Sequence, residues 1–223
     1  MLIAPMSDSH NRHDQFKLSD ADLGIHCGDF SSMGYVHETK GFLEWFSKQP
    51  VKNRLFICGN HDGTLPEEQP SLFKEILKEY PGVTYLQNDG ITIDGIKFWG
   101  RPYTPRFNDW FWMADPGSPK MLSSLDIIPK DTDVLITHGP PYGILDTTNG
   151  NQHVGCKDMR DWLEDGNPKP KLILCGHIHN GRGVYQYGDT TIVNCAVLND
   201  WYRWGGNPML IDFDGKTVKI IRP

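Results

Sequence analysis

Polar side chains of the types that bind metal ions follow short apolar runs at five places in this 223-residue chain. The runs occupy residues 2–6, 23–27, 55–58, 134–137 and 172–175. The clusters that follow them are, in order, Asp8-Ser9-His10, Gly28-Asp29, Gly59-Asn60-His61-Asp62, His138-Gly139-Pro140-Pro141 and Gly176-His177-Ile178-His179. Imidazole, carboxylate and amide groups suit Zn, Fe, Mn and similar ions. The residue types therefore predict a metal site.

The five clusters can converge only if the apolar runs are neighbouring strands. In α/β sheets, ligand sites lie outside the carboxyl ends of the strands, and glycine at these ends lets the backbone turn sharply. Asp29 has two carboxylate oxygens and could bridge two ions. Bridged ions ~3.5–4 Å apart stabilise the attacking and leaving oxygens of an in-line displacement. The pattern thus indicates displacement chemistry at a pair of ions.

The elements around these clusters have the pattern of an α/β protein, because short apolar runs alternate with glycine-marked turns and helical stretches. Further strands are predicted at residues 83–86, 91–93, 96–99, 184–187, 191–194, 209–213 and 218–221. Helices are predicted at residues 35–48, 71–79 and 157–164, and Gly166-Asn167-Pro168 should end the last of them. Residues 101–119 are predicted as a long loop, and their aromatic content favours a functional loop over a disordered one.

The composition restricts the class of protein. Hydrophobic residues make up 38% of the chain and charged residues 22%, as in soluble globular proteins. The formal net charge of −6 and the lack of a long basic run argue against binding to long nucleic acid. The N-terminus has no basic leader, and no apolar run approaches the ~20 residues of a membrane-spanning helix. The five cysteines have no short paired spacing, so we expect reduced thiols, a cytoplasmic location and no membrane partner.

In residue type and order, the five clusters resemble the signature of the calcineurin-like metallophosphoesterases. A single Gly-Asp pair would be uninformative, but five clusters in order over residues 8–179 are highly specific. The resemblance implies a four-layer α/β/β/α sandwich of two mixed sheets flanked by helices. It also implies a single domain over residues 1–223.

The resemblance further implies which residues bind two divalent ions. The first ion would take Asp8, His10, Asp29 and His179, and the second would take Asp29, Asn60, His138 and His177. His61 would stabilise the transition state or protonate the leaving oxygen, with Asp62 orienting it. The nucleophile would be a metal-bridging hydroxide, and manganese is the ion favoured for activity over iron or zinc.

Within the superfamily, residues 137–141 and the stretch Val154-Gly155-Cys156 look most like the small metallophosphoesterase-domain group, which is related to class III cyclic-nucleotide phosphodiesterases. This subgroup resemblance implies a small phosphodiester substrate, including a nucleotide as one option. Alternatives are a phosphomonoesterase, a protein phosphatase, or a metal-binding interaction scaffold with vestigial catalysis. The intact pair His61-Asp62 argues against the scaffold. The oligomeric state stays open, with a homodimer as one option.

Some residues outside the clusters have two interpretations each. Arg12 and His13 could contact a substrate phosphate, but a solvated loop fits them equally well. The four aromatic residues Trp99, Trp110, Phe111 and Trp112 could wall the site, although a hydrophobic plug is slightly favoured.

Other polar residues and thiols are predicted to have structural positions. His26 should be a core residue with its hydrogen bonds satisfied, and His37 should lie on a helix surface. Cys27, Cys58 and Cys175 precede cluster glycines and should be buried as small apolar side chains, whereas Cys156 should line the pocket. Asn194 should orient a metal ligand from outside the ligand set.

Overall fold

The computed structural model describes residues 1–165 and 169–222, and within these ranges most strands belong to two six-stranded sheets. The first sheet contains β1 (Leu2–Met6), β2 (Ala21–His26), β3 (Val51–Phe56), β4 (Val83–Tyr85), β13 (Leu210–Phe213) and β14 (Val218–Arg222). Its spatial order is β14-β13-β1-β2-β3-β4. Strands β1 to β4 are parallel, and β13 and β14 are antiparallel to their neighbours. The predicted edge strand near the C-terminus is confirmed.

The second sheet contains β5 (Asp89–Ile93), β6 (Ile96–Arg101), β9 (Val134–Thr137), β10 (Leu172–Cys175), β11 (Gly183–Tyr187) and β12 (Thr190–Asn194). Its spatial order is β11-β12-β10-β9-β6-β5, with β6, β9, β10 and β12 parallel. Strands β7 (Thr104–Pro105) and β8 (Met113–Ala114) form a separate two-stranded ribbon.

Four α-helices are assigned in the described ranges: α1 (Val36–Ser47), α2 (Pro70–Lys78), α3 (Pro119–Asp126) and α4 (Lys157–Glu164). Short helical turns occupy His13–Gln15, Thr64–Glu68 and His179–Gly181. None of the helices in these ranges is both long enough and apolar enough to cross a membrane.

Side chains alternate in direction along each strand, so each sheet has two faces. The two sheets pack face to face through one apolar face each. In β10, Leu172 and Leu174 belong to the core between the sheets, whereas Ile173 belongs to the core beneath α3 and α4. In β1, Ile3 likewise belongs to the core between the sheets, and Ala4 faces the core beneath α1 and α2. Full burial of such an aliphatic side chain stabilises the fold by ~1.5–3 kcal/mol. The predicted four-layer α/β/β/α sandwich is confirmed.

The structure corrects the predicted loop at residues 101–119. Arg101 belongs to β6, β7 and β8 lie inside the segment, and Pro119 begins α3, a helix that the prediction missed. The Ser118 hydroxyl accepts a hydrogen bond from Met121 N at the start of α3, and Pro119 stands at the first helical turn. This Ser-Pro signal was present in the sequence. The proposed helix stop Gly166-Asn167-Pro168 lies outside the described residues, and α4 ends at Glu164.

Candidate metal centre

The five polar clusters meet where β1, β2, β3, β9 and β10 end. Three overlapping groups of side chains form there, and in each group the possible ligand atoms lie within 4.8 Å of one another. The groups are Asp8 with His10 and His179, His10 with Asp29 and His61, and Asp29 with His138 and His177. The Asn60 Oδ1 atom lies 3.0 Å from His138 Nε2. The structure therefore brings together all seven predicted ligands.

Backbone carbonyls fix the tautomers of three of the imidazoles. The Nδ1 atoms of His138, His179 and His61 lie 2.9, 2.9 and 2.6 Å from the carbonyl oxygens of Cys27, Asn199 and Ser32, respectively. A carbonyl oxygen only accepts hydrogen bonds, so each Nδ1 must hold the hydrogen. The Nε2 atom of each ring is then the one that faces the centre of the site, where it can bind a metal ion or carry a second proton.

Several possible ligand atoms in the site lie within 4 Å of one another. His10 Nε2 lies 3.1 Å from His179 Nε2, and His138 Nε2 lies 3.2 Å from Asp29 Oδ2. Burial lowers the pKa values of His10 and His177 to about 3, so these rings are neutral. Such a set of closely spaced lone pairs and carboxylates is stabilised by cations, and the donor set therefore fits divalent metal ions.

The carboxyl group of Asp29 is ionised in the metal-free site. Burial raises its pKa, but the facing imidazoles of His138 and His61 outweigh burial and hold that pKa well below its usual range. Burial lowers the pKa of His138, yet the Asp29 carboxylate outweighs this effect and raises it to about 9. A proton thus occupies the place between Asp29 and His138 that a cation would take, and metal binding would release it.

The turns that position the ligands have a strained backbone. Asp8, His10, Asp29 and His177 have positive φ angles of 58°, 40°, 56° and 66°. A non-glycine residue in this region costs of order 1–3 kcal/mol, and such residues concentrate at functional sites. Direct hydrogen bonds hold the turns, because Asp8 accepts from His177 N at 2.9 Å and His10 N donates to the Asp29 carbonyl at 3.0 Å.

Two of the cluster glycines are required by close packing. A Cβ atom at Gly59 would overlap the Asp29 carboxylate and the His138 ring, and one at Gly176 would overlap the Asp8 carboxylate. The ligands therefore approach the backbone of neighbouring turns more closely than any side chain at these positions would allow.

Asp62 has a different role from the predicted one. It does not contact the His61 ring, whose Nδ1 atom donates to the Ser32 carbonyl. Instead, its buried carboxylate accepts hydrogen bonds from the backbone N–H groups of Asp29, Gly59 and Ser31 at 2.6, 2.8 and 2.9 Å. Burial raises the pKa of Asp62 to about 7, and the charge of Asp29 adds to the rise. Asp62 thus joins the turns after β2 and β3, and the prediction that it orients His61 directly is wrong.

The aromatic segment 101–119 supplies both the wall and the plug that the sequence left as alternatives. Trp110 lies with its ring centroid 4.1 Å from that of His61 and lines the pocket, as Phe107 does. Trp112 is buried in the core beneath α1 and α2, and Phe111 packs against that core. Trp99 packs at the other core, beneath α3 and α4.

The two predicted phosphate contacts are not supported by the geometry. His13 is buried with its ring centroid 5.9 Å from Phe42 and 5.4 Å from Trp45, both on α1. Arg12 is exposed, and it is not among the described residues that line the pocket. Burial lowers the pKa of His13, so the ring is a neutral packing group.

Two further histidines outside the clusters, His26 and His37, lie away from the ligands. His26 is a buried core residue as predicted, and its Nε2 atom lies 3.1 Å from the Ser9 hydroxyl. Its Nδ1 atom has no partner among the described residues, so its hydrogen bonding is only half satisfied. His37 is exposed on α1, as predicted.

The thiols are structural. Cys27, Cys58 and Cys175 are fully buried, and burial raises the pKa of each thiol well above its usual range. Cys156 does not line the pocket, contrary to prediction. It is buried at the N-terminus of α4, where its sulfur accepts from Met159 N at 3.4 Å.

Asn194 supports the last ligand turn from behind. Its Nδ2 atom donates to the carbonyl oxygens of Ile178 and Gly176 at 2.8 and 3.3 Å, which fits the predicted orienting role. The sequence analysis missed Ser32 and Asn199, because they act through backbone carbonyls that residue type does not reveal. It also missed Asp200 and Tyr202, which line the pocket.

The ligand atoms face a pocket of about 310 Å³. Beyond the candidate ligands and His61, it is lined by Phe107, Trp110, Asp200 and Tyr202. The Tyr202 ring lies 4.8 Å from the His10 ring, and the Phe107 ring lies 5.3 Å from the His177 ring. A small ligand bound at the centre would therefore be enclosed by aromatic rings on two sides.

The chain resembles several known proteins over most of its length. Metallophosphoesterase domain-containing protein 1 of Homo sapiens is 34% identical over 227 residues, covering 93% of this chain and 69% of the human protein. UPF0046 protein K07C11.7 of Caenorhabditis elegans is 31% identical over 228 residues, covering 98% and 77%. The crystal structure of TT1561 of Thermus thermophilus has the same fold, with a TM-score of 0.63 at 15% identity over 99% of this chain and 98% of that chain.

The family model of the calcineurin-like phosphoesterases matches residues 4–181, a range that encloses all the candidate ligands. The chemistry of this family is metal-dependent hydrolysis of phosphoesters. From the extent of this match and the similarity to the human protein, the chain belongs to the calcineurin-like phosphoesterase family.

Proposed function

We propose that this protein hydrolyses small phosphodiesters at a centre of two divalent metal ions. The observation that carries the proposal is that two of the three ligand groups share Asp29, whose carboxylate faces an imidazole of each proposed ion site. Its Oδ2 atom lies 3.2 Å from His138 Nε2 and 3.8 Å from His10 Nε2. Asp8, His10 and His179 would hold the first ion with Asp29, and Asn60, His138 and His177 would hold the second with it.

Bound divalent ions supply Lewis-acid stabilisation of the phosphate and activate the attacking water, and manganese is the ion we expect to be effective. The oxygen of water forms a bond to phosphorus while one ester P–O bond breaks. The leaving oxygen then takes a proton from His61 Nε2, because His61 Nδ1 is held by the Ser32 carbonyl. The attacking water loses one proton to solvent, and His61 regains one from solvent. The products are a phosphomonoester and an alcohol.

The preference for diesters over monoesters follows from the charges around the pocket. Among the described residues, no lysine or arginine lines the metal pocket, and Asp200 adds a negative charge. A monoester dianion needs more cationic neutralisation than a diester monoanion does. The covering rings of Phe107 and Trp110 also favour a small substrate over the surface of a phosphoprotein.

Two substrates with the same leaving group test the proposal. After chelation and reloading with Mn²⁺, the protein should cleave bis(p-nitrophenyl) phosphate with a higher kcat/KM than p-nitrophenyl phosphate. A clearly higher value for the monoester would replace the proposal with a phosphomonoesterase, and no turnover of either ester would favour a metal-binding scaffold.

Asp200→Lys tests the charge argument itself. This substitution should lower the diester-to-monoester ratio of kcat/KM by up to about fivefold, since exposed charge pairs are each worth ~0–1 kcal/mol. The exposed Asp126 of α3 offers the control Asp126→Lys, which should leave the ratio unchanged. An unchanged ratio in Asp200→Lys would remove the electrostatic basis of the preference.

A further inference from the structure

A second cavity, of about 500 Å³, adjoins the metal pocket. Its lining is largely apolar and includes Pro105, Phe107, Val154 and Ile178. Arg106 also lines it, but the Arg106 Nε atom donates to the Asp115 carboxylate at 2.7 Å, so this charge is already paired. Cavities of this size and composition bind the apolar parts of small ligands.

The two cavities form one continuous cleft because they share four lining residues, Phe107, His177, His179 and Asp200. His177 and His179 are proposed to hold different ions. A phosphate bound between the ions would therefore be adjacent to the apolar cavity, and a substituent on that phosphate could extend directly into it.

The wall of the second cavity that contains Val154 is held in place by a buried carboxylate. Asp146 is fully buried, and it accepts hydrogen bonds from Gly143 N and Gly155 N at 2.9 Å each. The His153 Nδ1 atom lies 2.6 Å from the other Asp146 oxygen. These contacts join both ends of the loop between β9 and α4, so the cavity is formed before any ligand binds.

We propose that the adjoining cavity binds the ester group that the phosphodiester retains, and that this group is uncharged and apolar. The proposal rests on the proposed function. His61 is the proposed proton donor to the leaving oxygen. It lines the metal pocket but not the adjoining cavity. The group that enters the adjoining cavity is therefore on the side away from His61 and is not the leaving group.

A series of alkyl and aryl p-nitrophenyl phosphodiesters tests this assignment, because the leaving group stays constant while the retained group changes. With the metal-loaded protein, kcat/KM should rise from methyl to butyl to phenyl, by up to about fourfold per buried methylene. Val154→Asn should flatten this series, so that the ratio of kcat/KM for the phenyl ester to that for the methyl ester falls toward one. Val184→Asn is the matched control, since Val184 is 40% exposed on β11 and Val154 is 38% exposed.

The same assignment predicts binding without turnover. Dibutyl phosphate should inhibit more strongly than dimethyl phosphate, and Val154→Asn should reduce the difference. A flat series in an active protein, an equal effect of Val184→Asn, or faster cleavage of a nucleoside p-nitrophenyl phosphodiester than of the phenyl ester would overturn the assignment. Failure to cleave any member of the series would overturn the proposed function, and the assignment with it.

Discussion

The two sheets contribute different chemistry to the metal centre. The turns of the first sheet supply both carboxylates and the amide, from Asp8, Asp29 and Asn60, together with the imidazole of His10. The turns of the second sheet supply only imidazoles, from His138, His177 and His179. The strain is also unequal, because Asp8, His10 and Asp29 all have positive φ angles, whereas His177 alone does so among the second-sheet ligands.

The two sheets therefore have different roles in binding the ions. The negative charge that would balance two cations comes from the first sheet, and the second sheet completes the coordination with imidazole rings. Removing the shared first-sheet carboxylate, Asp29, should therefore unbalance the whole centre, whereas removing a second-sheet imidazole should weaken one ion. The expected effects below decrease in that order.

The largest effect should come from Asp29→Ala compared with His177→Ala. Asp29→Ala should reduce diester hydrolysis to background at every Mn²⁺ concentration, because both ions lose their shared ligand. His177→Ala should be inactive at low Mn²⁺ and partly recover with excess metal, because only one ion is weakened. Steady-state rates across a metal titration distinguish the two, and equal rescue of both variants would contradict the asymmetry.

His61→Ala should lower kcat by about 10²–10⁴, the usual contribution of general acid catalysis, while metal content stays unchanged. The loss should shrink for nitrophenolate leaving groups, which need little protonation, and grow for alkyl leaving groups. His37→Ala, at an exposed position of α1, is the control. Because His61 also lies within 4.8 Å of the ligand atoms of His10 and Asp29, metal analysis is essential. Loss of metal in parallel with activity would make His61 a ligand.

Every hydrogen-bond partner of the Asp62 carboxylate donates to it. Asp62→Asn should therefore leave a buried donor unsatisfied and lower the free energy of unfolding by about 1–3 kcal/mol. An amide would place its own N–H groups against one of these donors. Urea denaturation of the metal-free protein measures the change, with Asp126→Asn on α3 as the exposed control. Unchanged stability would show that Asp62 does not brace the turns after β2 and β3.

The smallest loss of activity should follow Asn60→Ala, because a neutral amide oxygen is a weak ligand. The second ion should bind about ten- to hundredfold less tightly, the range seen when groups that support a metal are removed. Excess Mn²⁺ should restore most of the turnover. Activity that no metal concentration restores would mean that Asn60 acts on the substrate instead.

Most of the fold and the ligand set could be predicted from the sequence because both depend on local signals. Apolar runs such as residues 172–175 mark buried strands, and the polar clusters that follow them mark the strand ends. The helix α3 was missed because the aromatic residues before it dominated the pattern, although Ser118 and Pro119 mark its start.

The unpredicted features depend on long-range packing. His13 lies three residues after His10, yet its ring contacts Phe42 and Trp45 of α1, which no local pattern reveals. The partners of Asp62 include backbone N–H groups of another turn, 31–33 residues away in the chain. Residue type indicated that both groups belong near the site, but only the three-dimensional contacts showed what each one touches.

The measurement that tests the central claim most directly is the number of metal ions bound per chain. Equilibrium titration with Mn²⁺, checked by elemental analysis, should give two ions for the wild-type protein, one each for Asp8→Ala and His138→Ala, and neither held tightly in Asp29→Ala. A single ion in the wild-type protein, or two tightly held ions in Asp29→Ala, would contradict a two-ion centre that shares Asp29.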